Sequence, residues 1–450
     1  MNTERQCVKR RTLYATFVVA VVWSAQVCAA TVSVSGVGIA PLPSGATGAQ
    51  ELSGITWAGG SQYYVVSDAN ATVYPLTVHL DMITGAVTSA ALDNGIALVA
   101  GSDLEGIAYE ASTGHVYVSD ETGPAIRRHS LVDGSLTGTV TVPAVYDDYR
   151  ANRSFESLSM RSGGASLWTC NEEALANDGP VSTVGAGTTV RLQKFDSTFT
   201  PAGQWAYVTD GITGDIPFTT AERSGVSDVC VLPGGTVLVL ERELGWMNSP
   251  FGPQFRNRIY EIDLTGATDV SGIAAIDNAT FDAVGKSLLW EGLFGSSSNF
   301  EGIALGPALA GGKWSLLLVS DDGSGLSQNL YALTLAGEVA TPGDADLDGL
   351  VDGADLALWQ QNYDPLGTGG DNNTWAMGNW NDDNMIDGAD LALWQQNYSP
   401  LVPPTGVDDV PLGCDVGEVP EPVTTGLLLL GSVVLMMLGR RRRAPGRSRA

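Results

Sequence analysis

Asp103-Leu-Glu-Gly-Ile-Ala108, followed a turn later by His115-Val-Tyr-Val-Ser-Asp120, is the stretch on which the reading of the fold rests. It is a short apolar strand, a turn, and a second alternating strand that stops at Ser-Asp. The design recurs along the chain. Glu105 to Asp120 is a step of 15 residues, as are Ser53 to Asp68, Glu156 to Asn171 and Ser227 to Arg242. Glu301 to Asp321 is 20, with the extra residues in the Gly-rich run Leu305–Gly312. β-Branched residues suit the strands, and Gly-Gly pairs at 59, 163, 234 and 311 suit hairpin turns. Four-stranded units recurring every ~50–75 residues read as propeller blades. The expectation is a mainly β fold, a β-propeller over residues 31–340. Five blades fit the count, and a sixth would need a unit that the sequence does not display. The strand Thr31–Ile39 is expected beside Leu330–Leu335, where it would close the ring.

Outward from this body, both ends read as targeting segments. Lys9, Arg10 and Arg11 precede the apolar run Leu13–Trp23, and small residues lead to Ala30, so residues 1–30 are expected to be a cleaved secretory signal. At the other end a Pro/Gly/Asp-rich linker, 402–422, leads into the apolar stretch Val423–Gly439 and then Arg440 to Arg443. Pro420-Glu421-Pro422 with that stretch and the arginine cluster resembles a PEP-CTERM sorting tail, here 423–450. The resemblance implies an exosortase-type processing enzyme and membrane contact through the tail only.

Charge narrows the function. The chain of 450 residues carries a formal charge of −27. Between residues 31 and 422 it keeps 13 basic against 49 acidic residues. Such a surface repels nucleic acid and anionic membranes and attracts cations. Only His79, His115 and His129 are present, which argues against a His-dependent triad. Cys170 and Cys230 read as two buried thiols, with a bridge between them open as the alternative.

A second repeat has a period of 35 residues. Asp352-Gly-Ala-Asp-Leu-Ala-Leu-Trp-Gln-Gln-Asn-Tyr363 recurs unchanged as Asp387–Tyr398. Upstream, Asp344, Asp346, Asp348, the Leu350 carbonyl, Asp352 and Asp355 stand at the ligand positions of a 12-residue calcium loop, with Gly349 at the turn. The second loop offers Asn379, Asn381, Asp383, the Met385 carbonyl, Asp387 and Asp390, with Asn384 at the turn. Asn tolerates positive φ, and fewer carboxylates predict weaker binding. Two loop–helix units of this kind, closed by Asp, resemble a type I dockerin over 343–401. That implies a small α-helical module, two calcium ions and docking to a cohesin-like module on another protein. Gly353-Ala354 and Gly388-Ala389 stand where family members carry polar partner-selecting residues.

The propeller motifs resemble the esterase-like phytase family over about 50–335. The residues that carry this are Asp103-Leu-Glu-Gly-Ile-Ala108 with Ser119-Asp-Glu121, Arg153-Ser-Phe-Glu-Ser-Leu158 with Asn171-Glu-Glu173, and Asn299-Phe-Glu-Gly-Ile-Ala304 with Ser320-Asp-Asp322. The resemblance implies phosphoester or ester hydrolysis. Strand-end acids of several blades converge on one mouth of a propeller. Glu105, Glu156 and Glu301 are the catalytic candidates, with Glu121, Glu172 and Asp322 in the same ring, where further calcium would activate a water. Arg153 and Arg242, with Asp120 and Asp321, are the substrate-binding candidates. Against this stands the reading that repeated Ser-Asp ends only cap their own turns. Two other functions stay open: a non-catalytic binding propeller, and a polysaccharide-degrading enzyme that needs two opposed carboxylates.

Overall fold

The computed structural model describes residues 30–42, 49–214, 219–247, 252–294, 299–321, 328–370 and 373–399. The leader, Asp322 and everything after Ser399 lie outside the described residues. β1 (Val32–Pro41) comes first. Blade I holds β2 (Leu52–Gly59), β3 (Gln62–Ser67), β4 (Thr72–Leu80) and β5 (Val87–Leu92), with the short β6 (Ile96–Ala97) on β4. Blade II holds β7 (Leu104–Glu110), β8 (His115–Asp120), β9 (Ala125–Ser130) and β10 (Leu136–Val140). Blade III holds β11 (Ser159–Met160), β12 (Ser166–Cys170), β13 (Thr189–Asp196) and β14 (Pro201–Val208). Blade IV holds β15 (Thr219–Val231), β16 (Val237–Met247), β17 (Gly252–Asp263) and β18 (Gly285–Phe294). Blade V holds β19 (Asn299–Leu309), β20 (Lys313–Asp321) and β21 (Asn329–Gly337), and β1 is its fourth strand.

The number of blades follows from packing. Side chains alternate between the two faces of a strand, so a strand buried on both faces is apolar throughout and feeds two cores. In β3, Tyr63 and Val65 pack towards blade V, while Val66 packs towards blade II. In β16, Val237 and Val239 join blade III, and Leu238 and Leu240 join blade V. Each neighbouring pair of blades shares one such core, and the five cores close a ring. The expected closure is present: β1 pairs antiparallel with β21, Val32 opposite Gly337 and Pro41 opposite Asn329. Behind it, both carboxylate oxygens of Glu261 accept from the Thr31 backbone N, at 3.0 and 2.9 Å. The Thr31 hydroxyl at 2.8 Å and the Val32 N–H at 3.1 Å also donate to Glu261.

The inner strands approach so closely that a side chain is excluded at Gly106. A Cβ there would sit 2.2 Å from the Leu158 backbone nitrogen. This explains the Gly that follows Glu in the repeat. Blade IV places Asp228 at the equivalent position. Its fully buried carboxylate accepts from the N–H of Leu158 at 3.3 Å and of Ile303 at 2.8 Å, tying blade IV to blades III and V. Cys170 and Cys230 are free, buried thiols. Among the described residues no helix is long and apolar enough to cross a membrane.

Two short helices follow the propeller, α1 (Gly353–Gln361) and α2 (Gly388–Asn397). Both open on a capping box: Asp352 and Asp387 accept from the N–H two residues on, while Asp355 and Asp390 reach back to the cap backbone. The two repeats grip each other reciprocally. The Trp359 indole donates to the Asp387 carbonyl at 2.9 Å, and the Trp394 indole donates to the Asp352 carbonyl at 2.7 Å. Equivalent bridges join Asp364 to Ile386 and Ser399 to Val351.

Candidate functional site

The first strands of four blades begin with a β-bulge, between Leu52 and Gly54, Leu104 and Ile107, Val226 and Asp228, and Phe300 and Gly302. A bulge carries one extra residue and re-aims its side chain. Ser53, Glu105, Ser227 and Glu301 occupy these positions, and Glu156 takes the same place in blade III, next to the Phe155–Asn171 bridge. Two residues earlier, the partner strands end on a second layer. Gly225 pairs with Arg242 and Asn299 with Asp321. Backbone bonds join Asp68 to Glu51, Glu121 to Asp103 and Glu172 to Ser154, at 3.1, 2.9 and 2.8 Å. The layer is therefore Asp68, Glu121, Glu172, Arg242 and Asp321.

This register corrects the 15-residue spacing, which aligned Asp120 and Asn171 with Arg242. The hairpins of blades II and III span one residue more than those of blades I and IV, so Glu121 and Glu172 are the true equivalents. Asp120 is taken up inside its own blade: it pairs with Arg127 and accepts the N–H groups of Thr122 at 3.0 Å and Ser102 at 3.3 Å. The capping reading thus fits Asp120, and Glu121 likewise accepts a backbone N–H, that of Ser154 at 2.7 Å.

The three glutamates face one mouth. Glu105 is 6 % exposed, and its pKa is pushed well up by burial and then by Glu301, Asp68 and Glu121. Glu156, 7 % exposed, is pushed well up by burial, Glu105, Glu172 and Glu121, with Arg242 acting against them. Burial raises Glu301 to about 7 against the pull of Arg242. Burial also takes Asp68 to about 8, helped by Glu301 and Asp321, and Glu121 to about 7. Desolvation of a carboxylate beside other carboxylates is the common cause.

Cations enter from one side. Arg242 pairs with Glu301, reaches Glu172 at 3.1 Å and donates to Asn299 at 2.9 Å. Asn299 in turn donates to Glu301 at 2.8 Å and Asp321 at 2.9 Å, which brings Asp321 to the mouth. Arg153 pairs with Glu173 at the rim. Arg223, which the motif reading passed over, pairs with Glu172 at 2.9 Å. Its signal in the sequence is faint: a lone arginine two residues before Gly225 on an inner strand.

In the loop 344–355, the carboxylates of Asp344, Asp346 and Asp348 bring one oxygen each within 4.8 Å of the others. Asp344 Oδ1 is buried without a hydrogen bond, and the Gly349 N–H donates to Asp344 Oδ2 at 3.1 Å. Burial and then Asp355 push Asp344 up to about 7. This donor set suits a hard divalent ion. Asp355 accepts the Ala345 and Asp352 N–H groups, and Asp352 caps α1. In the second loop Asn384 adopts φ 62°, as its turn position requires. There the Asn381 amide donates to Asp383 at 3.0 Å, and Asp390 accepts from Trp380 at 2.7 Å.

A five-bladed propeller with buried carboxylates and arginines at one mouth defines the class of protein. Residues 47–323 match the phytase-like family described as esterase-like activity of phytase, and the chain belongs to that family. No curated protein matches it. Among solved structures it is similar to a PQQ-bound aldose sugar dehydrogenase from Streptomyces coelicolor at 16 % identity, over 67 % of this chain and 98 % of that one, with a TM-score of 0.32. It is also similar to a hydrazine synthase of Kuenenia stuttgartiensis at 12 % identity, over 62 % and 79 % of the two chains, with a TM-score of 0.29. A streptogramin B lyase shares 10 % identity over 68 % of this chain and 98 % of its own, with a TM-score of 0.29.

Proposed function

We propose that the propeller is a phosphoester or ester hydrolase, exported and displayed through its calcium-loop module. The observation that carries the hydrolase reading is the convergence of Glu105, Glu156 and Glu301 on one buried mouth beside Arg242. Burial and the neighbouring carboxylates push the Glu156 pKa well up, which suits it to deliver a proton to the leaving oxygen. Glu301, poised at about 7, suits accepting one from the attacking water. Arg242 and Arg223 are placed to hold phosphoryl oxygens through paired N–H donors. Carboxylates outnumber guanidinium groups in the mouth, so an anionic substrate needs a divalent cation with it. When bound, calcium would supply Lewis acidity and a counter-charge.

The same proposal covers the remainder of the chain. The loops 344–355 and 379–390 bind two calcium ions, the first more tightly, and the module docks on a cohesin-like partner. The leader is removed on export and the tail is handled by an exosortase-type enzyme. No nucleic acid is involved, and the membrane is met only through the tail.

The test is turnover of phytate, a generic phosphomonoester and a short-chain ester by the purified chain, with calcium and with chelator. Glu156→Gln is the informative variant, because no hydrogen bond or ion pair of Glu156 is found among the described residues and Gln keeps its size; circular dichroism of the variant checks its fold. The expected result is calcium-dependent turnover that falls at least ~100-fold in this variant. No turnover by the parent on any substrate would favour the binding-propeller reading.

A further inference from the structure

The mouth is divided by charge. Arg242, Arg223 and Arg153 all lie on the side of blades III and IV, each paired with a glutamate. The seam between blades I and II has no cation in its second layer. There Asp68, Asp103 and Glu105 bring one carboxylate oxygen each within 4.8 Å of the others. Three carboxylates this close repel one another unless protons or a cation lie between them.

The second observation concerns satisfaction. Asp68 Oδ1 is shut off from solvent and has no hydrogen-bond partner among the described residues. Glu105 is 6 % exposed, and beside its carboxylate lie Glu301, Asp68 and Glu121 with the Ser53 hydroxyl. Asp103 gives one oxygen to the Thr122 hydroxyl at 3.1 Å, which orients its carboxylate. Buried acceptors left without donors are what a hard cation completes, since it takes six to eight oxygens (roughly) from carboxylates, carbonyls and water. Asp68 and Asp103 are partly exposed, so the ion has a way in from the mouth.

We infer that Asp68, Asp103 and Glu105 form a divalent-cation site, of calcium type, at the seam of blades I and II, separate from the two calcium loops. The inference deepens the hydrolase reading by naming where the cation of the mouth sits. It stands on geometry that does not depend on turnover. Glu301 lies between this site and Arg242, facing Asp68 on one side and the guanidinium on the other. A phosphoryl group held by Arg242 would therefore face the cation across Glu301.

Calcium stoichiometry of the EDTA-stripped full chain, read by titration calorimetry, tests the site. Three ions are expected in the parent and two in Asp68→Asn/Asp103→Asn. A variant silenced in both loops, Asp344→Asn/Asp346→Asn/Asp383→Asn/Asp390→Asn, should keep one ion. Adding Asp68→Asn to it should abolish that ion or weaken it at least ~10-fold. Two ions in the parent, or an unchanged count in Asp68→Asn/Asp103→Asn, overturns the inference. If the loop-silenced chain does not fold, the parent and the double variant still decide it. An inactive parent that binds three ions sinks the hydrolase proposal alone. An active parent that binds two sinks only this site.

Discussion

Replacing Asp228 by Ala should loosen the whole inner ring. The carboxylate accepts the N–H of Ile303 at 2.8 Å from blade V and of Leu158 at 3.3 Å from blade III, and its own neighbour Val229 at 2.8 Å. A hydrogen bond contributes about 0.5–1.5 kcal/mol net, and each buried donor left alone costs about 1–3 kcal/mol. The two inter-blade bonds are the ones without a local substitute. A loss of about 3–5 kcal/mol follows, a large share of the ~5–15 kcal/mol that holds a typical domain. Urea unfolding followed by tryptophan fluorescence measures it. Asp228→Asn keeps one acceptor and should fall between the parent and Asp228→Ala. If Asp228→Ala unfolds within 1 kcal/mol of the parent, the staple between the blades is not a source of stability and the reasoning fails.

Three further outcomes are expected. Gly106→Ala drives a methyl group to within 2.2 Å of the Leu158 nitrogen, so thermal melting should report a loss of about 1–3 kcal/mol, whereas Gly114→Ala, at an open turn, should show only the smaller strain of its positive φ. In EDTA, Glu121 and Glu301 have folded pKa values of about 7 against 4.5 for the free side chain. The folded state then binds more protons than the unfolded chain between these values, so stability should fall as pH rises from ~5 to ~7 and go on falling towards ~8, where Asp68 titrates; a rise over that window in urea melts would contradict the assignment. Calcium titration of the full chain should lose its tightest phase in Asp344→Asn and a weaker one in Asp383→Asn; the reverse order would mean that loop charge does not set affinity.

How much of this was legible in the sequence depends on what each residue answers to. The five blades were, because Tyr63 to Val66 or Val237 to Leu240 must be apolar on both faces to fill two cores at once. The backbone of the two Asp/Asn-rich loops was legible as well, since residue spacing is a local property and Asn384 sits where positive φ is needed. The mouth was legible only in part. Glu105, Glu156 and Glu301 stood out because the bulge repeats. Asp120 misled, because the hairpin of blade II is one residue longer than those of blades I and IV, and the side chain at the count of 15 turns into its own blade. Arg223 meets Glu172, and Asp68 meets Asp103, across blade seams. No spacing within one unit encodes such a meeting.

Glu261 holds the first strand at its first residue. Its two oxygens receive the Thr31 nitrogen at 3.0 and 2.9 Å, a forked contact that a single amide hydrogen serves poorly. A chain cut between Ala30 and Thr31 would place an ammonium group there, with three hydrogens and a full positive charge against a buried carboxylate. The contact that closes the ring would then be weak in the precursor and strong in the trimmed protein. Trimming would act as the last step of folding, setting the latch only after the leader has done its work.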